Sequence, residues 1–72
     1  MKNKNEWIGP AEVCDICGGK FGKYFYDGKA NLGSGIWGLM CEDCFIEYGF
    51  GTGLGKAQKY LTKTKEGVEG FK

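Results

Sequence analysis

Apolar and aromatic positions are concentrated in the middle of the chain, where their spacing predicts short strands. Three successive aromatic residues, 24–26, favour a strand, and Asp27-Gly28 directly after them is a strong signal for a two-residue turn. We therefore predict a β-hairpin over residues 21–32. A second apolar run, residues 36–40, predicts a further strand.

A short helix is predicted to start at the second cysteine pair and to continue through residues 45–48, with Gly49 as its stop signal. Glu42 and Asp43 would lie in its first turn, where carboxylates interact favourably with the helix dipole. Further along the chain, residues 56–61 fit one or two helical turns.

The two ends of the chain are polar. We expect residues 1–6 to be frayed and residues 62–72 to form a poorly ordered tail, with Val68 and Phe71 as the candidate anchors of its end. Trp7 is the first large apolar side chain. A lid over the small core is the favoured interpretation of its ring, and contact with a ligand is the alternative.

All four cysteines occur in two C-x-x-C pairs, Cys14 with Cys17 and Cys41 with Cys44, and 23 residues separate the pairs. This spacing is typical of a zinc site with four thiolate ligands, and the sequence contains no histidine. Gly18 permits a tight turn after the first pair, whereas the second pair precedes the predicted helix. We predict that the four cysteines hold one structural zinc ion.

Other uses of the cysteines fit the sequence less well. Two disulfides would require an oxidising compartment, and no secretory signal is present in the sequence. A redox-active pair would need a βαβ context. Iron on four thiolates is the remaining alternative to zinc. Rubredoxin-like sites, however, have a glycine after both pairs, and Phe45 follows the second pair here.

The order of cysteine pair on a turn, hairpin, and cysteine pair on a helix indicates a small α+β zinc domain. We expect a treble-clef-like finger, and a zinc ribbon, whose second pair would lie on another turn, is the alternative. A chain of 72 residues has a thin core, so metal binding contributes directly to folding. Trp37 is expected near the centre of that core. We divide the chain into an N-terminal arm (1–12), a zinc-finger domain (13–50), a glycine- and lysine-rich segment (51–61) and a flexible tail (62–72).

Glycine occupies every second position over residues 49–55, which raises the question of a phosphate-binding loop. The P-loop pattern requires a glycine where Phe50 stands and a serine or threonine where Ala57 stands, so nucleotide binding is disfavoured. We expect instead an extended segment that lies over the domain, with Phe50 and Leu54 docked. A mobile loop that closes over a partner is the alternative.

Catalysis is not expected. The sequence has neither histidine nor arginine, so the usual acid–base and phosphate-activating groups are missing. A zinc ion with four thiolates also lacks the open position that metal-dependent hydrolysis needs, which excludes the activity of the treble-clef His-Asn-His nucleases. No apolar stretch approaches the length of a membrane span, and we expect neither a membrane partner nor a small-molecule substrate.

Charge is distributed unevenly, although the net charge is only +1. Residues 41–47 carry −3, whereas residues 48–65 carry four lysines and no acidic residue. Patches of opposite charge favour a non-catalytic binding module with a protein partner. A nucleic acid is the alternative partner, through lysines and aromatic rings, and a structural or assembly role is a third hypothesis. The candidate partner-binding residues are Phe50, Lys56, Lys59, Tyr60, Lys63 and Lys65.

A family resemblance rests on an ordered string of short motifs within residues 13–60. The string consists of Cys14-x-x-Cys17-Gly18, Tyr26-Asp27-Gly28-Lys29, Gly35-x-Trp37, Met40-Cys41-x-x-Cys44 and Gly51-x-Gly53-x-Gly55-Lys56-x-Gln58-Lys59-Tyr60. It resembles a group of small bacteriophage-encoded proteins of unassigned role, which often have a proline where this chain has Ile36. The resemblance implies a zinc site and a cytoplasmic protein made in a host bacterium, and it brings no known activity. For the protein partner that the charge patches favour, we expect a host or phage protein.

Overall fold

The computed structural model describes residues 6–9, 11–33 and 35–71. Its elements are β1 (Tyr24–Ala30), β2 (Ile36–Met40), α1 (Glu42–Tyr48), β3 (Ala57–Leu61) and β4 (Gly67–Glu69). The strands form one antiparallel sheet in the order β2-β1-β3-β4. The protein is therefore a small α+β structure, as predicted. The frayed start expected for residues 1–6 lies, apart from Glu6, outside the described residues.

The strand β1 continues through Asp27 and Gly28, so the hairpin turn predicted at these residues is wrong. The chain instead reverses direction after Ala30, between β1 and β2. Gly28 pairs with Ala57 of β3, and a Cβ atom at Gly28 would lie 2.5 Å from the Ala57 Cα and 2.5 Å from the Lys56 carbonyl oxygen. Glycine is needed here because two strands approach closely, a contact between distant parts of the chain.

The helix α1 confirms the helix predicted around the second cysteine pair. It begins directly after Cys41, and Glu42 and Asp43 lie in its first turn. It ends at Gly49, whose N–H donates to the carbonyl oxygen of Phe45 at 2.8 Å. The φ of Gly49 is −80°, so a left-handed conformation is not the reason for glycine. A Cβ atom there would instead lie 2.6 Å from the Phe45 ring and from its carbonyl oxygen.

The helical turns predicted at residues 56–61 are wrong, because β3 occupies this part of the chain. The buried positions of β3 are Ala57 and Tyr60, three residues apart. Apolar residues three positions apart are also typical of one face of a helix, so the sequence pattern fits a helix as well as a strand. Pairing with β1 along the whole of β3 decides in favour of the strand.

The poorly ordered tail predicted at residues 62–72 is also corrected. Its described part contains β4, which pairs with β3 through Lys59 and Tyr60 and has a register shift between them. Phe71 packs edge-to-face against Tyr60 with ring centroids 5.5 Å apart, as expected of an anchor. Val68, the other proposed anchor, is 48% exposed.

The side chains of the sheet form two hydrophobic clusters. The cysteine-centred cluster has as its buried members Cys14, Tyr26, Ala30, Met40 and Cys44. The aromatic cluster has as its buried members Ala11, Phe25 and Tyr60. Trp7 packs edge-on against Phe25 and Tyr60, with centroids 5.8 and 5.5 Å away, which confirms its interpretation as a lid over the core.

Trp37 is not the central core residue that the sequence indicates. Its side chain is 52% exposed, because β2 is an edge strand and Phe25 and Met40 fill the two clusters. The indole Nε1 donates a hydrogen bond to Asp27 Oδ1 at 2.9 Å. This bond fixes the orientation of an aromatic ring that faces solvent.

The glycine-rich segment does not dock its side chains as expected. Phe50 is 48% exposed and Leu54 is 68% exposed. The backbone of Gly53 exchanges hydrogen bonds with Ala57, at 2.9 and 3.1 Å, and accepts one from the Lys56 N–H. Residues 53–57 therefore form a turn that leads into β3, and the apolar side chains of the segment lie at the surface.

Candidate metal centre

The first cysteine pair lies in a tight turn, as the sequence predicts. The Cys14 N–H donates to the Gly19 carbonyl oxygen at 2.8 Å, and the Gly18 N–H donates to the Cys14 carbonyl oxygen at 3.0 Å. Gly18 has a φ of 75°, a conformation that glycine adopts readily. An isolated bridge between Val13 and Lys20 closes the turn. We refer to residues 13–20 as the knuckle.

The second pair lies at the start of α1. Cys41 is the residue before the helix, and Cys44 is a buried residue of its first turn. Cys14 is buried in the knuckle, whereas Cys17 is exposed. The two pairs thus come from separate elements and meet beside the cysteine-centred cluster.

All four sulfur atoms lie within 4.8 Å of one another. The Cys17 and Cys41 Sγ atoms are 3.8 Å apart. A tetrahedral zinc ion with Zn–S bonds of about 2.3 Å requires sulfur separations of about 3.8 Å. Backbone N–H groups also point at the sulfurs, from Ile16 to Cys14 at 3.3 Å and from Gly19 to Cys17 at 3.4 Å. The donor set and its spacing therefore fit one metal ion, and four thiolates suit zinc.

The protonation of the thiols depends on their surroundings. Burial tends to raise the pKa of Cys14, but hydrogen bonds from backbone groups at both cysteine pairs outweigh it and lower this pKa to about 7. Burial raises the pKa of Cys41 and, well beyond its usual range, that of Cys44. One sulfur is thus readily ionised near neutral pH, and a bound metal ion would favour loss of the other protons.

Asp15 joins the knuckle to the sheet. Its backbone N–H donates to the Leu39 carbonyl oxygen at 2.8 Å, and its Oδ2 accepts from the Leu39 N–H at 2.8 Å. Both hydrogen bonds are made to the edge of β2 that faces away from β1. They hold the first cysteine pair beside the strand that leads into the second. The sequence gives no hint of this role, since Asp15 is simply one of the two residues between Cys14 and Cys17.

The six candidate partner-binding residues do not form one surface. Tyr60 is buried in the aromatic cluster. The Lys59 ammonium lies 4.0 Å from the centroid of the Tyr24 ring, and the Lys65 ammonium donates to the Thr62 carbonyl oxygen. The exposed Lys63 lines a different hollow from Phe50 and Lys56, together with residues 22–23, 61–62 and 64.

Phe50 and Lys56 are brought together, and the structure adds Lys29 to them. These three residues and Gly55 line a surface hollow of about 220 Å³. Trp37 stands opposite Lys29 in the pairing of β1 with β2. Lys29 is not among the predicted candidates because the turn predicted at Asp27-Gly28 removes its pairing with β2, and Trp37 is not because its size assigns it to the core. We refer to Lys29, Trp37, Phe50 and Lys56 as the aromatic–lysine surface.

The fold and the site define a small α+β protein with a candidate metal centre of four cysteines. No protein-family model, curated protein or solved structure shows significant similarity to the chain. Within residues 6–9, 11–33 and 35–71, no helix is long and apolar enough to cross a membrane.

Proposed function

We propose that the protein is a zinc-stabilised, non-catalytic binding module. The convergence of the four sulfur atoms within 4.8 Å carries this proposal. Cys14, Cys17, Cys41 and Cys44 would hold the ion, which when bound supplies a crosslink between the knuckle and α1. A closed set of four thiolates has no free position for substrate, and the sequence has no histidine to act as a base.

The succession of knuckle, antiparallel strand pair and helix supports a treble-clef-like assignment. In such an arrangement the metal fixes the geometry of a small scaffold, and function resides on the surface. We retain a bacteriophage origin and the host cytoplasm as part of the proposal, on the motif resemblance given above.

Two classes of partner are candidates. A protein of the host or phage is supported by exposed apolar side chains, among them Ile36, Ile46 and Leu54, and by the acidic residues of α1. A nucleic acid is supported by a different observation, the two lysines and the aromatic ring that line one hollow.

Affinity purification of the tagged protein from a bacterial lysate, with and without nuclease treatment, tests the proposal. We expect one zinc ion per chain by elemental analysis and a partner that is enriched over a Cys44→Ser control, which lacks one ligand. A partner that survives nuclease treatment identifies the protein class, and one lost on treatment identifies nucleic acid. Metal-free purified protein, or a partner retained equally by the control, would contradict the proposal.

A further inference from the structure

We infer that the aromatic–lysine surface is a binding site for single-stranded nucleic acid. The inference rests on the proposed binding function and names the partner of one surface. Its starting point is the hollow lined by Lys29, Phe50 and Lys56, which brings together parts of β1, the segment after α1 and the residue before β3.

The two lysines are held close together by the backbone. The Lys29 N–H donates to the Lys56 carbonyl oxygen at 2.8 Å, because β1 and β3 meet closely at Gly28 and Ala57. Both lysine side chains are exposed. Two exposed lysines that line one hollow supply two positive charges for anionic groups, and phosphates in a single strand carry one charge per nucleotide.

Two exposed aromatic residues are neighbours of Lys29. Trp37 is its direct partner across the strand pair, and Phe50 lines the same hollow. Their side chains are 52% and 48% exposed. The nearest carboxylate along β1, on Asp27, accepts the hydrogen bond of the Trp37 indole and is half-buried. It therefore holds one ring in place on the surface.

This combination favours a single strand over the other macromolecular partners. In a single strand, exposed base faces can stack on the two rings, and the phosphates can contact the lysines. Stacking of this kind tolerates any base sequence. In a duplex the base faces are covered by neighbouring bases, so only the phosphates would bind. An acidic peptide would satisfy the lysines and leave the rings without stacked partners.

Fluorescence anisotropy with a labelled oligothymidylate of about 12 nucleotides tests the inference on the zinc-loaded full chain. Two phosphate contacts predict that affinity falls about sevenfold between about 50 and 200 mM salt. Phe50→Ala should weaken binding about 5- to 150-fold through lost stacking, whereas Phe50→Trp should retain it. Lys29→Gln and Lys56→Gln should each reduce the salt dependence.

Matched controls use exposed residues outside the surface. Val68→Ala removes an exposed apolar side chain of β4, and Lys23→Gln removes an exposed lysine elsewhere; both should bind like wild type. Circular dichroism of every variant checks that the fold is retained. Absence of binding at low salt, equal affinity for a duplex of the same length, or tighter binding of a poly-glutamate peptide would overturn the inference. A nuclease-resistant protein partner together with no oligonucleotide binding would leave the proposed binding function standing and remove this site alone.

Discussion

At the scale of single residues, Gly28 determines how closely β1 and β3 can pair. Its missing side chain leaves room for the Ala57 backbone and the Lys56 carbonyl oxygen, each 2.5 Å from where a Cβ atom would lie. Backbone atoms cannot rotate away from such a contact as a flexible side chain can. Gly22 provides the contrast, because a Cβ atom there would have no heavy atom within 4 Å.

Gly28→Ala is therefore expected to lower the free energy of unfolding by about 1–3 kcal/mol, the usual cost of overpacking. Urea denaturation at a fixed zinc concentration measures the change. Gly22→Ala is the matched control and should stay within about 0.5 kcal/mol of wild type, as surface substitutions usually do. Similar losses in both variants would show that the close approach of β1 and β3 is not the cause.

At the scale of elements, the knuckle depends on β2 for its position. Asp15 makes the two hydrogen bonds that join them, one through its backbone and one through its carboxylate. Asp15→Ala should weaken zinc binding about fivefold, from the loss of about 1 kcal/mol for one exposed hydrogen bond. Competition with a chromogenic chelator measures this affinity. Asp15→Asn keeps an acceptor oxygen and should bind zinc nearly as wild type does; a loss as large as that of alanine would point to charge instead.

The strand β4 is a second element whose contribution can be measured. Phe71 packs against Tyr60 beyond the end of β4, so Phe71→Ala should lower the free energy of unfolding by at least about 0.5–1.5 kcal/mol, the worth of an aromatic pair. Val68→Ala, within β4 and 48% exposed, is the control and should change stability less. Thermal unfolding of both variants decides the point. Equal stability of Phe71→Ala and wild type would mean that residues 67–71 do not close the core.

Local signals in the sequence predicted local structure. The cysteine spacing predicted the site, and the carboxylates before Phe45 together with Gly49 predicted α1. The errors arise where pairing between distant strands decides. Gly28 looked like a turn residue because its contact with β3 lies about thirty residues away in sequence and leaves no local signal. Trp37 was assigned to the core by its size, whereas its strand is at the edge of the sheet.

At the scale of the whole molecule, one sheet supports two clusters of different composition. The cysteine-centred cluster includes two of the four candidate ligands, whereas the aromatic cluster includes none. Tyr26 and Phe25 are neighbours in β1 and belong to different clusters. If the residues around the metal site unfold, β1 loses its packing on the cysteine-centred cluster. The aromatic cluster, which contains Phe25 of the same strand, should then unfold as well.

Removal of zinc by a strong chelator should consequently unfold the whole chain rather than the surroundings of the four cysteines alone. In a chain this small, metal binding free energy is folding free energy. Far-ultraviolet circular dichroism should lose its helix and sheet signals, and tryptophan emission should shift to longer wavelength as Trp7 leaves Phe25 and Tyr60. Added zinc should restore both. Unchanged spectra after chelation would contradict a structural metal, and a change confined to the helix signal would contradict coupling through β1.

The order of the strands also bears on how the chain matures. All four candidate ligands precede residue 45, whereas β3, which lies between β1 and β4 in the sheet, is made after them. A nascent chain therefore presents its complete set of sulfurs before β3 and β4 have left the ribosome. Metal acquisition can precede closure of the sheet during synthesis, with β3 and then β4 added to a cysteine site that is already assembled.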